Sequence, residues 1–113
     1  MHELAVTEDI LRIVTEHATG AGTHHVTDIH LVIGDMSSFV NDSIQFYFDL
    51  ISPGTVAQGA TLHFHRQAVR FRCWQCGQEF SPTKLDWVCP KCHALGGKVL
   101  AGKEFYVESI EVQ

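Results

Sequence analysis

The chain has 113 residues and a formal net charge of −5, with 45% hydrophobic and 19% charged residues. This composition supports a buried core and excludes a disordered chain, and the length predicts one compact unit or a small domain with a smaller module. The apolar runs are too short to span a bilayer, and no signal-peptide pattern opens the sequence. We therefore expect a cytoplasmic protein with no membrane partner.

Two helices and a strand are predicted in the first half of the chain. Apolar residues recur at helical spacing from Glu3 to about Ala18, and the glycines of TGAGTHH end that pattern. The segment HVTDIHLVIGD then alternates at strand spacing, and SSFVNDSIQFYFDLI predicts a second helix. The predicted buried face of this second helix consists of Val40, Ile44, Tyr47 and Ile51.

Two further strands are predicted in the second half. ATLHFHRQAVRFR alternates Leu62 and Phe64 with His63 and His65, and it continues directly into the first cysteine pair. EFYVESIEVQ predicts the last strand, and its imperfect alternation indicates a bulge or an edge position. His63 and His65 share a face and could chelate a metal, although a solvated strand face is the simpler explanation.

The strongest motif is the set of four cysteines in FRCWQCGQEFSPTKLDWVCPKCHALGG, where twelve residues separate the pair Cys73 and Cys76 from the pair Cys89 and Cys92. A two-residue gap lets one tight turn present both thiolates to a single ion, and two such turns supply a tetrahedron of soft ligands. This spacing favours Zn²⁺, with iron in a rubredoxin-like site as the main rival. Because four protein ligands leave no open position, we expect a structural site, with the adjacent His93 as a bystander.

These elements predict an α+β fold, in which two helices pack on a small three-stranded sheet with an inserted zinc-ribbon or rubredoxin-like zinc module. We expect the α/β domain to span residues 1–70 plus 101–113, and the zinc-binding domain to span residues 71–100. The two ends of the insert are expected to leave from and return to neighbouring strands of the sheet.

Basic residues are concentrated around the cysteines. Seven of the eight lysines and arginines lie between Arg66 and Lys103, against only two acidic residues, so that stretch has a formal charge of +5. A zinc ribbon with such an excess could bind nucleic acid or an acidic protein surface, which is the main alternative function. The whole chain is acidic, however, and we expect Trp74, Phe80 and Trp87 to pack inside the module, so we predict no nucleic-acid binding.

The sequence opens with Met-His-Glu at the start of the first predicted helix. The α-amine of Met1, the amide and imidazole of His2, and the amide or carboxylate of Glu3 could form fused chelate rings around one ion. Nitrogen-rich, near-planar donation suits Ni²⁺ or Cu²⁺. The positive field at a helix N-terminus also favours the neutral, metal-competent form of His2. Taken alone the pattern is weak, because an exposed histidine is usually not a ligand.

The combination of MHELAV at the start, VIGD at a strand end and CPKCH at the end of the cysteine set resembles the HypA/HybF family, the nickel metallochaperones of [NiFe]-hydrogenase maturation. The resemblance extends over essentially all 113 residues. It implies a nickel-binding α/β domain, with His2 and Glu3 as ligands helped by the Met1 amine and backbone amides, and a zinc domain held by the four cysteines. Gly34-Asp35 stands where many relatives have Gly-Glu, so no further nickel ligand is assigned in the loop that follows.

The resemblance also implies delivery rather than catalysis. It implies that Ni²⁺ is transported to a [NiFe]-hydrogenase large-subunit precursor, with a HypB-type GTPase as partner and, in some organisms, a link to urease maturation. The residues also indicate a protein without catalytic activity, because the sequence has no Gly-rich phosphate loop and no free Ser or Cys nucleophile with an evident His partner. We therefore predict no enzyme activity, Zn²⁺ as a structural ion, and a monomer or weak homodimer.

Overall fold

A computed structural model of the chain describes residues 3–82 and 87–113. In chain order its elements are α1 (Glu3–Gly20), β1 (Val26–Gly34), α2 (Asn41–Ile51), β2 (Thr61–Gln67), β3 (Arg70–Cys73), β4 (Glu79–Phe80), β5 (Gly97–Ala101) and β6 (Phe105–Val112). No helix in this part of the chain is long and apolar enough to cross a membrane.

The chain forms two compact units. The first takes in the described residues of Met1–Val32, together with Ser38–His65 and Phe105–Gln113, and the second takes in Ile33–Ser37 and the described residues of Arg66–Glu104. The second unit holds the cysteines, and its bounds are wider than residues 71–100. It includes the loop after β1 because the backbone N–H of Asp35 donates to the Gln67 carbonyl at 2.9 Å.

The first unit contains a three-stranded sheet in the order β2-β1-β6. Asp28 contacts His63 and His30 contacts His65, and both pairs are 35 residues apart in sequence. A constant offset between contacting residues means that β1 and β2 run in the same direction. Parallel strands need a long crossover connection, and α2 provides it between β1 and β2.

The last strand, β6, lies on the other side of β1 and runs antiparallel to it. The Thr27 hydroxyl donates to the Glu111 carbonyl at 3.2 Å, and the Gln113 N–H donates to the His25 carbonyl at 3.0 Å. The predicted edge position of this strand is therefore confirmed. The expectation that the insert joins neighbouring strands is wrong, because β1 separates β2 from β6.

The first helix, α1, buries a single face. Val6, Ile10, Val14 and Ala18 are all buried and lie four residues apart, which places them on one stripe of the helix. This face contributes to the core of the first unit, since α1 contacts both α2 and β6. The predicted fold class, with two helices, a small three-stranded sheet and a cysteine-bearing module, is confirmed.

The buried face predicted for the second helix, α2, is correct in part: Ile44 is buried, Tyr47 and Ile51 are half-buried, and Val40 is exposed. Val40 precedes the helix and is 53% exposed, so it lies outside the core. The buried residues are Ile44, Phe48 and, just past the helix end, Ser52. Their spacing of four residues continues the stripe that Ile44 begins, and Phe48 replaces Val40 as its large apolar member.

The second unit contains a small antiparallel sheet in the order β4-β3-β5. Phe71 on the central strand is paired with Phe80, and its ring meets those of Phe80 and Trp87 edge-on, at centroid distances of 5.7 and 5.3 Å. Trp74 is 67% exposed. The expectation that Trp74 packs inside the module is wrong, because Trp74 lies in the turn after β3 and most of its surface is exposed.

Candidate metal centres

The four cysteine sulfurs of the second unit converge on one point. All four Sγ atoms lie within 4.8 Å of one another, and the pairs Cys73–Cys92 and Cys76–Cys89 are separated by 3.4 and 3.6 Å. Tetrahedral Zn²⁺ with Zn–S bonds of about 2.3 Å places its sulfurs about 3.8 Å apart. The donor set and its spacing therefore fit a single tetrathiolate-bound ion.

Two backbone turns of the same design present these sulfurs. The N–H of Gly77 donates to the Cys73 carbonyl at 3.1 Å, and the N–H of His93 donates to the Cys89 carbonyl at 2.9 Å. Both donors have positive φ angles, 75° for Gly77 and 66° for His93. His93 therefore shapes the second turn through its backbone, in the position that glycine occupies in the first.

The backbone around the cysteines also stabilises thiolates. Hydrogen bonding from the backbone N–H of Cys76 lowers the pKa of Cys73 to about 6. The backbone N–H of Cys92 lowers the pKa of Cys89 in the corresponding way. The backbone N–H of Ala94 also lowers the pKa of Cys92, but the neighbouring thiols and burial outweigh it and raise that pKa to about 12. The set therefore combines two thiols with lowered pKa values and one whose proton a metal ion must displace.

Two of the four cysteines belong to the core of the second unit. Cys73 and Cys89 are buried beside Phe71 and Phe80, whereas Cys76 and Cys92 are exposed. A bound ion would thus link the core strand β3 to the loop that precedes β5. This position suits a structural role, because the ion would tie together two segments that lie far apart in sequence.

The predicted nickel ligand His2 and the adjacent Met1 lie outside the described residues. Glu3 is described and is the first residue of α1, where its carbonyl accepts a hydrogen bond from the Thr7 hydroxyl at 2.6 Å. Within residues 3–82 and 87–113 the Glu3 carboxylate forms no ion pair. Asp35, in the loop where no nickel ligand was assigned, is paired with Arg66 at 3.0 Å.

A second group of potential ligands lies on the sheet of the first unit. One ligand atom from each of His30, His63 and Glu111 lies within 4.8 Å of the other two. The sequence pattern identified the shared face of His63 and His65 but not His30 or Glu111, because these side chains come from strands whose register the sequence does not specify.

The Asp28 carboxylate borders this second group. His63 Nε2 lies 2.7 Å from Asp28 Oδ2. The hydrogen bond from His63, followed by one from Thr27, lowers the pKa of Asp28 below its ordinary value. Asp28 is therefore a carboxylate throughout the neutral range.

Comparison with known proteins identifies the family. Residues 1–112 match the family model described as hydrogenase/urease nickel incorporation, metallochaperone, hypA. The chain belongs to the HypA family. The hydrogenase maturation factor HypA of Dehalococcoides mccartyi is 43% identical over 112 residues, which cover 99% of this chain and 94% of that protein. The corresponding factor of Caldanaerobacter subterraneus is 40% identical over 114 residues, which cover 100% of both chains.

A solved structure of the HypA family has the same fold. The solution structure of the Ni metallochaperone HypA from Helicobacter pylori superposes with a TM-score of 0.69 at 27% sequence identity, covering 99% of this chain and 97% of that one. The resemblance inferred from the sequence motifs is confirmed. HypA proteins are nickel metallochaperones of hydrogenase maturation rather than catalysts, so this chain is not an enzyme.

Proposed function

We propose that this HypA-family protein binds one Ni²⁺ at its N-terminus and delivers it during maturation of a [NiFe]-hydrogenase. The observation that carries the proposal is the family match, which begins at residue 1 and therefore includes the Met-His-Glu opening. In this proposal His2 and Glu3 are the nickel ligands, with the Met1 amine and backbone amides completing the donor set.

The chemistry of the opening residues supports this assignment. An amine, a deprotonated amide and an imidazole in consecutive positions enclose an ion in fused chelate rings, and such nitrogen-rich donation suits Ni²⁺. Glu3 belongs to the first turn of α1, where a carboxylate is favoured by the helix dipole. Within residues 3–82 and 87–113 its carboxylate has no ion pair, so binding an ion there would break no salt bridge to those residues.

The two proposed ions have opposite tasks. Nickel at the N-terminus would have few protein ligands, so donors from an acceptor protein could displace them one at a time. Zinc held by Cys73, Cys76, Cys89 and Cys92 would have no open position and would stabilise the second unit. Delivery requires an ion whose ligands can be displaced, whereas folding requires an ion that stays bound.

The proposal includes the partners that the family implies. A HypB-type GTPase and the large-subunit precursor of a [NiFe]-hydrogenase are the expected partners, with urease maturation as a further possibility for the same nickel. The four cysteines are free thiols at metal-site spacing, which favours a reducing compartment, and we place the protein in the cytoplasm as a monomer or weak homodimer.

The test is a Ni²⁺ titration of zinc-loaded protein that carries a free amine on Met1. We expect His2→Ala to weaken the tightest nickel-binding step by at least about tenfold, because the imidazole and one chelate ring are lost. Bound zinc, measured in the same samples, should be unchanged. His17→Ala is the matched control, since His17 is an exposed histidine in the last turn of α1. Equal nickel affinity in wild type and His2→Ala would contradict the proposal.

A further inference from the structure

The sheet of the first unit has an open face with several metal-ligating side chains. His30 lies on the central strand β1, His63 and His65 lie on β2, and Glu111 lies on β6. Strand alternation directs these side chains away from Ile29, which is fully buried on the other face. The side chains on this open face therefore form a cluster that is separate from both the cysteine site and the N-terminal ligand set.

One distance within this cluster matches that between two ligands on one ion. His30 Nε2 lies 3.1 Å from Glu111 Oε2, and the rings of His30 and His63 stack with their centroids 4.5 Å apart. Two ligands that are each about 2.1 Å from the same ion lie roughly 3.0–3.4 Å apart at octahedral or tetrahedral angles. His30 and Glu111 already have this spacing. The ligand atom of His63 is within 4.8 Å of both, so its ring has to turn towards them to complete the set.

We propose that His30, His63 and Glu111 form a second, exchangeable binding site for a divalent transition ion of the Ni²⁺ and Zn²⁺ type. Two imidazoles with one carboxylate suit these ions, whereas Mg²⁺ and Ca²⁺ require mostly oxygen ligands. The three side chains are 23%, 38% and 60% exposed, respectively. An ion here keeps open positions for water or for a donor from another molecule, and so it can exchange. The site does not depend on nickel binding at the N-terminus.

Two neighbouring residues orient the proposed ligands. Asp28 engages Nε2 of His63 and leaves Nδ1 of that ring for the ion. A carboxylate behind a ligating imidazole fixes the ring and increases its basicity. His65 Nε2 lies 3.1 Å from Nδ1 of His30, so Nε2 is the His30 atom that faces Glu111. An ion bound at Nε2 of His30 displaces the proton held between His30 and Glu111 into solvent, while Nδ1 of His30 keeps its contact with His65.

The test is a Zn²⁺ titration by calorimetry of protein whose cysteine site is already saturated with zinc, followed by the same titration with Ni²⁺. We expect an additional binding step whose dissociation constant rises at least about tenfold in His30→Asn and in Glu111→Gln, because each loses one of three ligands. The control His17→Asn removes an exposed histidine on α1 and should leave this step within about twofold of wild type.

Spectroscopy on the unmodified protein provides a second readout that does not depend on any variant folding. Added Zn²⁺ should shift the imidazole nitrogen signals of His30 and His63, whereas those of His17 stay in place. Repeating the nickel titration in His2→Ala separates this site from the N-terminal one, since the open-face step should persist there. The absence of an additional step, or an equal step in His30→Asn, would show that the cluster is only a hydrogen-bonded network.

Discussion

Two residues with positive φ shape the cysteine turns, and only one of them is a glycine. Gly77 adopts φ 75° without a side chain, whereas His93 adopts φ 66° with one. A non-glycine residue in this region carries a backbone cost of roughly 1–2 kcal/mol. Metal ligation by Cys89 and Cys92, which precede His93 in the same turn, would restrain this conformation. We therefore expect the CPKCH turn to depend on a bound metal more than the first turn does.

Gly77→Ala tests the backbone requirement directly. A methyl group at Gly77 meets no atom within 4 Å, so the substitution changes the backbone preference and little else. We expect a loss of roughly 1 kcal/mol, or a fall in Tm of about 4–8 °C for a domain of this size, measured by thermal unfolding of zinc-loaded protein.

The matched control for that prediction is Gly20→Ala. Gly20 also has open space around its Cα but has no positive φ, and it is the last residue of α1. Alanine is the better helix former, so the Tm should be unchanged or slightly higher. An equal fall in both variants would mean that the turn conformation is not the cause.

The pKa of Asp28 provides a second prediction for a single residue. The hydrogen bond from His63, with that from Thr27, lowers the pKa of this carboxyl from 3.8. A depressed pKa means that these contacts stabilise the fold above pH 3.8 and that the contribution is lost as the pH falls through the lower folded value. In metal-free buffer, the carboxyl carbon signal of Asp28 should titrate with a midpoint below 3.8. In His63→Ala the midpoint should move up towards 3.8, and no movement would contradict the assigned cause.

Individual site residues were predictable to different degrees, for a physical reason. The four cysteines could be assigned from spacing alone, because each pair forms a local turn and the sequence contains no competing thiols. His30 and Glu111 belong to a site that exists only through strand pairing, since 81 residues separate them in the chain. Their proximity follows from the order β2-β1-β6, which residue patterns do not specify.

At the scale of elements, both helices and the strands β1 and β6 lie where the sequence predicted them. The single strand predicted over ATLHFHRQAVRFR is instead two strands, β2 and β3, in different sheets, and β4 and β5 were not predicted. The stripe of α1 repeats every four residues without interruption, so its buried face could be inferred from the pattern. The sequence of α2 is apolar on several sides, with Phe46 and Leu50 both about 60% exposed, at 59% and 61%. Where apolar residues surround a helix, tertiary packing decides which are buried, and here it selected Phe48 rather than Val40.

We expect the strands around the cysteines to depend on a bound ion more than on their own packing. Cys89→Ala removes one ligand and leaves a small core of Phe71, Phe80 and Cys73. We expect loss of bound zinc and of amide protection in β3, β4 and β5, because a core of this size is marginal without metal. The far-UV signal of α1 and α2 should remain, since both helices belong to the first unit. Hydrogen exchange followed by mass spectrometry measures both regions in one sample.

His93→Ala is the control for that experiment. It changes the residue next to the second cysteine pair but removes no member of the four-sulfur group. Zinc should be retained, and protection in β3 should be close to that of wild type. Loss of helical signal in Cys89→Ala would contradict the independence of the first unit.

At the scale of the whole molecule, the distribution of charge distinguishes the proposed nickel delivery from the main alternative, nucleic-acid binding. The basic residues near the cysteines suggested a surface for nucleic acid, but several of them are already paired. Arg70 and Arg72 both contact Glu79, at 3.4 and 3.3 Å, and Arg66 contacts Asp35 at 3.0 Å. Such exposed pairs add little stability, yet they direct the guanidinium groups towards carboxylates rather than towards phosphates.

These pairs predict how the protein behaves on a polyanion. We expect no retention on heparin at roughly 0.1 M salt, because the chain has a net charge of −5 and three arginines are engaged. Glu79→Gln frees Arg70 and Arg72, so it should elute later than Glu8→Gln. Glu8 is exposed on α1, and the latter variant makes the same change in net charge without releasing an arginine. Retention of the wild type, with equal elution of both variants, would instead indicate that the basic stretch binds polyanions without help from these arginines.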